Sequence, residues 1–191
     1  MLNHVGTRKI ETERLLLRRF QPDDAEVMFR SWASDGEVTR YLTWQPHSDV
    51  GATKKLLAAW VKQYSRKDRY HWCIEWKETN EPIGSIGLVR LEEEIETGEI
   101  GYCMAKEYWG RGIMTEALSA VIEYLFVNVG FHRLQACHNT QNPASGKVMK
   151  KCGMQFEGVL RQSAKTNVGE YCDVAFYSIL RTEWRLRHPE I

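Results

Sequence analysis

The sequence has no C-x-x-C pair, and its five cysteines, Cys73, Cys103, Cys137, Cys152 and Cys172, stand far apart. An odd, scattered set does not frame a disulfide scaffold, and it lacks the clustered Cys/His spacing of a zinc site. The expectation is small buried hydrophobes in a reducing compartment, and no metal. Long apolar runs are missing too. Nothing approaches the roughly 18 residues that a membrane span needs. The opening "MLNHVGTRKIETERLLLRRF" has arginines behind a short apolar run and no small-residue cleavage site, which argues against a secretory signal. Nor is there an excess of one charge: 26 Lys+Arg face 25 Asp+Glu. No broad basic field points to nucleic acid. Without repeats or a Pro/Gly/Ser linker, 191 residues read as a single cytoplasmic domain, 1–191, with a sizeable core.

What is present is a regular alternation of elements. Thr12–Arg19 reads as a first strand. Pro22 and two acids open a helix in which Ala25, Met28, Phe29 and Trp32 recur at helical spacing. Asp49 is placed to cap a second long helix whose Leu57, Trp60, Val61 and Tyr64 share a face. Three strand-like runs follow, "RYHWCIEW", "EPIGSIGLVRL" and "TGEIGYCMA". A third long helix carries Met114, Ala117, Leu118, Val121 and Leu125 as its stripe, with Gly130 as its stop. "HRLQACHN" reads as a strand. A compact helix comes next, with Asn142 at its cap and Gly153 past its end, and two closing strands run to Trp184. The order β-α-α-β-β-β-α-β-α-β-β describes an α+β fold: a mixed sheet of about seven strands with helices on its faces.

The stretch "EYWGRGIMTEAL" places Gly110 and Gly112 around Arg111 at the start of the third long helix. A helix start leaves amide N–H groups unpartnered and carries partial positive charge, so it suits an anion. Glycines let a bulky anion reach that backbone. A phosphate or pyrophosphate is the ligand suggested. No Lys follows the second glycine as a Walker A loop requires, and "GRGIMT" lacks the third glycine of a dinucleotide fingerprint.

Taken together, "TERLLLRRF", "EIGYCMAKEYWGRGIMTEAL" and "NPASGKVMKKCGMQFEG" resemble the GNAT superfamily of acetyl-CoA-dependent N-acetyltransferases, most closely its RimJ/RimL-like branch. The resemblance runs from about Thr12 to Trp184. It implies a twisted, mostly antiparallel sheet with splayed central strands, and acetyl-CoA as co-substrate. The acceptor it implies is a primary amine, on a protein N-terminus or a small molecule. Members often form homodimers, although no strip of this sequence demands one. The family's [RQ]-x-x-G-x-[GA] motif falls on Trp109, Gly110, Arg111, Gly112, Ile113 and Met114; Trp109 and Met114 depart from it. Backbone amides from Gly110 to Thr115 are therefore expected to carry the pyrophosphate, with Arg111 adding charge. By the same analogy the pantetheine arm lies along Cys103, Met104 and Ala105, where that strand splays from "HRLQACHN".

Acetyl transfer to an amine needs a proton acceptor and a donor for the departing thiolate. Glu99 is the first candidate base. It alternates on one face with Gly101 and Cys103, and some family members carry a catalytic glutamate about there. The plain alternative is a solvated strand-end carboxylate. His138, at the end of the fifth long strand, is the second candidate, and a surface or capping histidine is its alternative. Ser145 matches the serine of the family's N-x-x-S element, which begins at Asn142. Its hydroxyl suits a leaving thiolate or the pantetheine, although a first-turn serine also bonds its own backbone. Tyr102 and Tyr108 are further thiolate donors. Trp44, His47 and Tyr171 stand in segments expected to line the amine pocket. Cys103 and Cys137 keep an acyl-cysteine route open. A non-catalytic acyl-CoA sensor on the same scaffold is the alternative function.

Overall fold

The structure is a computed structural model and describes residues 1–190. Strands β1 (Ile10–Glu11) and β2 (Leu15–Arg18) form a short antiparallel pair. Leu15 and Leu17 are fully buried. Arg18 ties β2 to a helix and to the neighbouring strand, 2.8 Å from Asp24 in the first turn of α1 (Asp24–Met28) and 2.5 Å from Glu75 of the strand beside it. α1 runs directly into a π-helical turn, Phe29–Ala33. α2 (Gly36–Thr39) is capped by Asp35, whose side chain accepts from the amides of Glu37 and Val38. α3 (Val50–Gln63) is capped as expected by Asp49, which accepts from the Ala52 amide.

Strands β3 (His71–Trp76), β4 (Glu81–Glu92) and β5 (Thr97–Met104) make an antiparallel meander. α4 (Ile113–Tyr124) buries Ile113, Ala117, Leu118 and Val121 completely, each worth ~1–3 kcal/mol of apolar burial according to its size. It continues as a π turn, Leu125–Val129, and stops at Gly130 with φ of +91°. β6 (Arg133–Asn139) then joins the sheet parallel to β5. α5 (Pro143–Lys151) follows, and β7 (Gln155–Lys165) and β8 (Tyr171–Leu180) pair as a hairpin with β8 next to β6. The result is one open sheet in the order β1-β2-β3-β4-β5-β6-β8-β7.

Two differences from the sequence reading stand at the ends of the chain. A two-residue strand, β1, precedes the expected first strand, which is shortened to β2, so the sheet has eight strands and not seven. The last strand stops at Leu180, and Arg181–Arg187 forms α6. Glu183 sets that boundary by accepting from the Leu180 amide at 2.9 Å, while Trp184 packs on Phe126 with ring centroids 5.8 Å apart.

Candidate active site

The sheet is continuous except in its centre. β5 and β6 share register at Thr97–Arg133, Gly98–Leu134 and Glu99–Gln135, and beyond Glu99 no residue of one pairs with the other. The cause lies on the other side of β5. β4 slips register between Leu88 and Arg90, opposite Ile100 and Glu99, and Val89 is the extra residue. Such a bulge bends its strand and increases the local twist. The Val89 side chain lies over Gly101, 2.7 Å from where a Cβ would stand. Gly101 therefore makes room for the Val89 side chain.

A cavity of about 1160 Å³ opens along this parting. Its lining includes Glu99, His138 and Ser145, the backbone-bearing residues Cys103 and Met104, and the helix starts from Trp109 through Thr115 and at Asn142. Trp44 and His47 line it as well. Three expected residues stand outside it. The Ala105 amide is already spent on the Ile83 carbonyl at 2.8 Å. Arg111 turns over the Tyr108 ring, 5.5 Å from its centroid, and Tyr171 is exposed beneath Lys165. Arg111 is also absent from the lining although both its glycine neighbours are on it.

The glycine-lined helix start has the geometry of an anion cradle. Gly110 and Gly112 have φ of +74° and +75°, a left-handed region that side-chain-bearing residues avoid. A Cβ on Gly110 would meet nothing within 4 Å, and one on Gly112 only an Arg14 nitrogen at 3.8 Å. No side chain caps α4, whose first internal bond runs from the Glu116 amide to the Gly112 carbonyl at 3.1 Å. The amides just ahead of it have no intrahelical acceptor. α5 starts on the same cavity and is likewise uncapped: Asn142 sits at its cap position but its amide makes no cap bond. The loop is held from behind. Arg14 donates to the Arg111 carbonyl at 3.0 Å and to Glu116 at 2.7 Å, and Thr12 donates to the same carboxylate at 2.6 Å. Trp109 reaches back to the Met104 carbonyl at 2.8 Å.

Glu99 stands at the fork itself. Gln135 donates to one carboxylate oxygen at 3.1 Å, and the Cys137 thiol faces the other at 3.6 Å. His138 alternates to the opposite face of β6 from these two residues. Its ring lies on Gly146 of α5, with Nε2 2.6 Å from where a Cβ would be, and is stacked 5.7 Å from Tyr177. The two candidate bases are thus on different sides of the sheet. Ser145 shares the side of His138: its hydroxyl is 2.9 Å from the Tyr102 hydroxyl, which also donates to the Ser145 carbonyl at 3.1 Å. Burial raises the Tyr102 pKa, so the phenol keeps its proton. Burial, reinforced by the Glu99 charge, pushes the Cys137 thiol up to about 12, and burial raises Cys103 as well. Neither thiol is an activated nucleophile. Among the described residues no three His, Cys, Asp or Glu side chains come together as a metal site, and no helix is long and apolar enough to cross a membrane.

The residues that hold this site together gave little signal in sequence. Arg14 and Glu116 are about a hundred positions apart, and Gln135 joins Glu99 only because β6 runs parallel to β5. On the far side of the cavity Asn167, in the β7–β8 loop, donates to the Thr39 carbonyl at 3.1 Å and accepts from Gln45 at 3.2 Å. That contact bridges the two halves of the sheet.

An open sheet forked at its centre, with two bare helix starts facing the fork, suits an extended ligand that carries negative charge. The family model described as acetyltransferase (GNAT) domain matches residues 14–155. The N-acetyltransferase YoaA of Bacillus subtilis, itself uncharacterised, is 36% identical over 172 residues, 90% of this chain and 96% of YoaA. A GNAT-family acetyltransferase structure from Bacillus anthracis superposes with a TM-score of 0.80 at 28% identity, covering 92% of this chain and all (100%) of that one. RimL, described as a ribosomal L7/L12 alpha-N-protein acetyltransferase in complex with coenzyme A, shares the fold with a TM-score of 0.81 at 21% identity, over 91% of this chain and 98% of RimL. The chain belongs to the GNAT family and is an N-acetyltransferase.

Proposed function

We propose that this protein, acting as a single domain over residues 1–191, moves the acetyl group of acetyl-CoA onto a primary amine by direct attack in a ternary complex. The observation that carries the reading is the position of Glu99: an oriented carboxylate where β5 and β6 part, in the same cavity as two uncapped helix starts. The left-handed glycines fit the diphosphate, gripped by amides from Gly110 to Thr115. Beyond Glu99 the edge of β5 that faces β6 has no strand partner and offers ladder bonds to the amide-bearing arm near Cys103 and Met104, although the Met104 carbonyl already accepts from the Trp109 indole. Bound acetyl-CoA supplies the activated acetyl group.

The protein's own part is proton handling. An alkylamine near pKa 10 is mostly protonated at neutral pH. Glu99 takes its proton, directly or through water, and the amine becomes a nucleophile. The Ser145–Tyr102 pair holds a proton ready for the thiolate that departs. His138, turned to the other face and packed on Gly146, is a positioning group for α5. The Glu99→Gln variant tests this. Thiol release from acetyl-CoA should fall about 10²–10³-fold in kcat, while calorimetric affinity for coenzyme A stays within a factor of two. Unchanged turnover from pH 6 to 9 would remove Glu99 from the role. Binding with no turnover on any amine would instead favour an acyl-CoA sensor.

A further inference from the structure

The cavity gathers charge of one sign. Arg40, Arg69, Lys147, Lys151 and Lys165 line it, against two carboxylates, Glu37 and Glu99. The whole chain is nearly balanced, 26 Lys+Arg to 25 Asp+Glu, so the excess belongs to this place. None of these cations forms an ion pair among the described residues, whereas Glu37 is paired with Lys106. His47 and His71 add no charge at neutral pH, because burial lowers both. A cleft lined by unpaired cations raises the local concentration of anions.

These cations divide by element. Lys147 and Lys151 ride on α5, whose uncapped start opens on the cavity, and in the proposed pose they stand with the phosphates of the donor. The others come from elsewhere: Arg40 follows α2, Arg69 precedes β3, and Lys165 ends β7. Arg40 and Lys165 are drawn together from opposite halves of the sheet. Asn167, two residues after Lys165, donates to the carbonyl of Thr39, the residue before Arg40, at 3.1 Å. Gln45 donates to the Asn167 carbonyl at 3.2 Å. Neither charge is neutralised there. The Arg40 guanidinium lies 5.4 Å from the centroid of the Tyr41 ring, and the Lys165 ammonium 4.7 Å from that of Tyr171. A ring face holds a cation in place and leaves its N–H donors free for an anion. Glu170, the acid of the same loop, is off the lining and pairs with neither.

We infer that the acceptor carries an anionic group such as a carboxylate besides its amine, and that Arg40 and Lys165 receive that group while Glu99 handles the proton of the amine. Arg69 adds to the same field. The inference rests on the acetyl-transfer reading and narrows its substrate. A small amino acid and the acidic end of a peptide share this chemistry. A polycationic amine would meet three opposing charges on this side of the cavity and is a poor substrate.

Thiol release from acetyl-CoA is to be measured in two matched series: β-alanine, β-alaninamide and diaminopropane, and tripeptide amides that begin with Asp, Asn or Lys. An exposed ion pair is worth up to about fivefold in binding, so two should make the acidic member roughly tenfold better than its neutral partner in kcat/KM at low salt. The advantage should shrink at about 0.5 M salt. In the Arg40→Gln/Lys165→Gln double variant the acidic-to-neutral ratio should fall about tenfold, through KM for the acidic member. The substitutions cannot alter the basicity of either amine, so the change in ratio isolates the anion contact. Both side chains are exposed, so the fold does not depend on them. Parity, or a faster neutral or cationic member, in the unaltered protein overturns the inference without any variant. So does an advantage that salt leaves unchanged, or an unmoved ratio in a double variant that melts cooperatively. Faster turnover in the tripeptide series identifies a peptide as the source, and the reverse identifies a small molecule; either order supports the shared chemistry. No turnover in either series overturns this inference and the acetyl-transfer reading together, whereas turnover with the wrong preference overturns only this one.

Discussion

Substitution at Gly112 separates backbone geometry from charge in the proposed diphosphate cradle. Gly112→Ala adds a Cβ whose nearest neighbour is an Arg14 nitrogen at 3.8 Å, an ordinary contact. Its cost is then the left-handed backbone at φ +75°, about 1–2 kcal/mol. That cost falls on the folded state with or without ligand, so it lowers Tm and leaves affinity nearly alone. Gly112→Asp pays the same strain and adds a carboxylate near two negative phosphates. At roughly 6 Å and an effective dielectric of about 20, one such pair repels by about 3 kcal/mol. The position is exposed, and solvent screening reduces this to about 1–2 kcal/mol, or roughly 5- to 30-fold in Kd. Calorimetric titration with coenzyme A at 50 mM and 500 mM salt reads the difference. The aspartate variant should bind more weakly than the alanine variant at low salt, and the gap should narrow at high salt. Equal affinities for the two variants at 50 mM would show that no diphosphate lies over this helix start.

Two further outcomes follow from the buried groups. A Cys137 thiol with a pKa near 12 has roughly one part in 10⁴ to 10⁵ as thiolate at pH 7.5, so incubation with acetyl-CoA should leave the protein mass unchanged; an acetylated peptide containing Cys137 would establish the acyl-cysteine route. His71 has a folded pKa of about 4 against an ordinary value near 6.5, so the unfolded chain binds the extra proton. Its contribution to stability is complete above pH 6.5 and is lost as pH falls towards 4. Tm should therefore drop more steeply between pH 7 and 4.5 in the unaltered protein than in His71→Gln, and parallel curves would refute the assignment.

Most of the architecture was legible where local chemistry decides it. Asp49, Gly130 and Gly153 marked helix ends because capping and left-handed backbone depend on near neighbours. The glycines of the α4 start were readable for the same reason. What escaped the sequence depends on pairing between distant segments. Nothing near Val89 announces a bulge, yet that bulge faces the fork and fills the space over Gly101. Which face of its strand Glu99 or His138 occupies depends on neighbouring strands that the local sequence does not name. Arg111 was expected on phosphate from its sequence position alone, and Tyr108, three residues earlier, draws it elsewhere. The C-terminal helix was hidden because Trp184 continues the aromatic pattern of the strand before it.

Beyond Glu99 and Gln135 the fork leaves β5 and β6 each with one edge that no protein strand completes. In that sense the molecule folds as an unfinished sheet, and in the proposed donor pose the amide-bearing arm is its missing strand. Its thermal endurance is then tied to its metabolic supply: at a hundred times Kd a bound donor adds about 2.7 kcal/mol to the folded state. A cell short of acetyl-CoA would hold a slower catalyst and, at the same time, a more fragile protein.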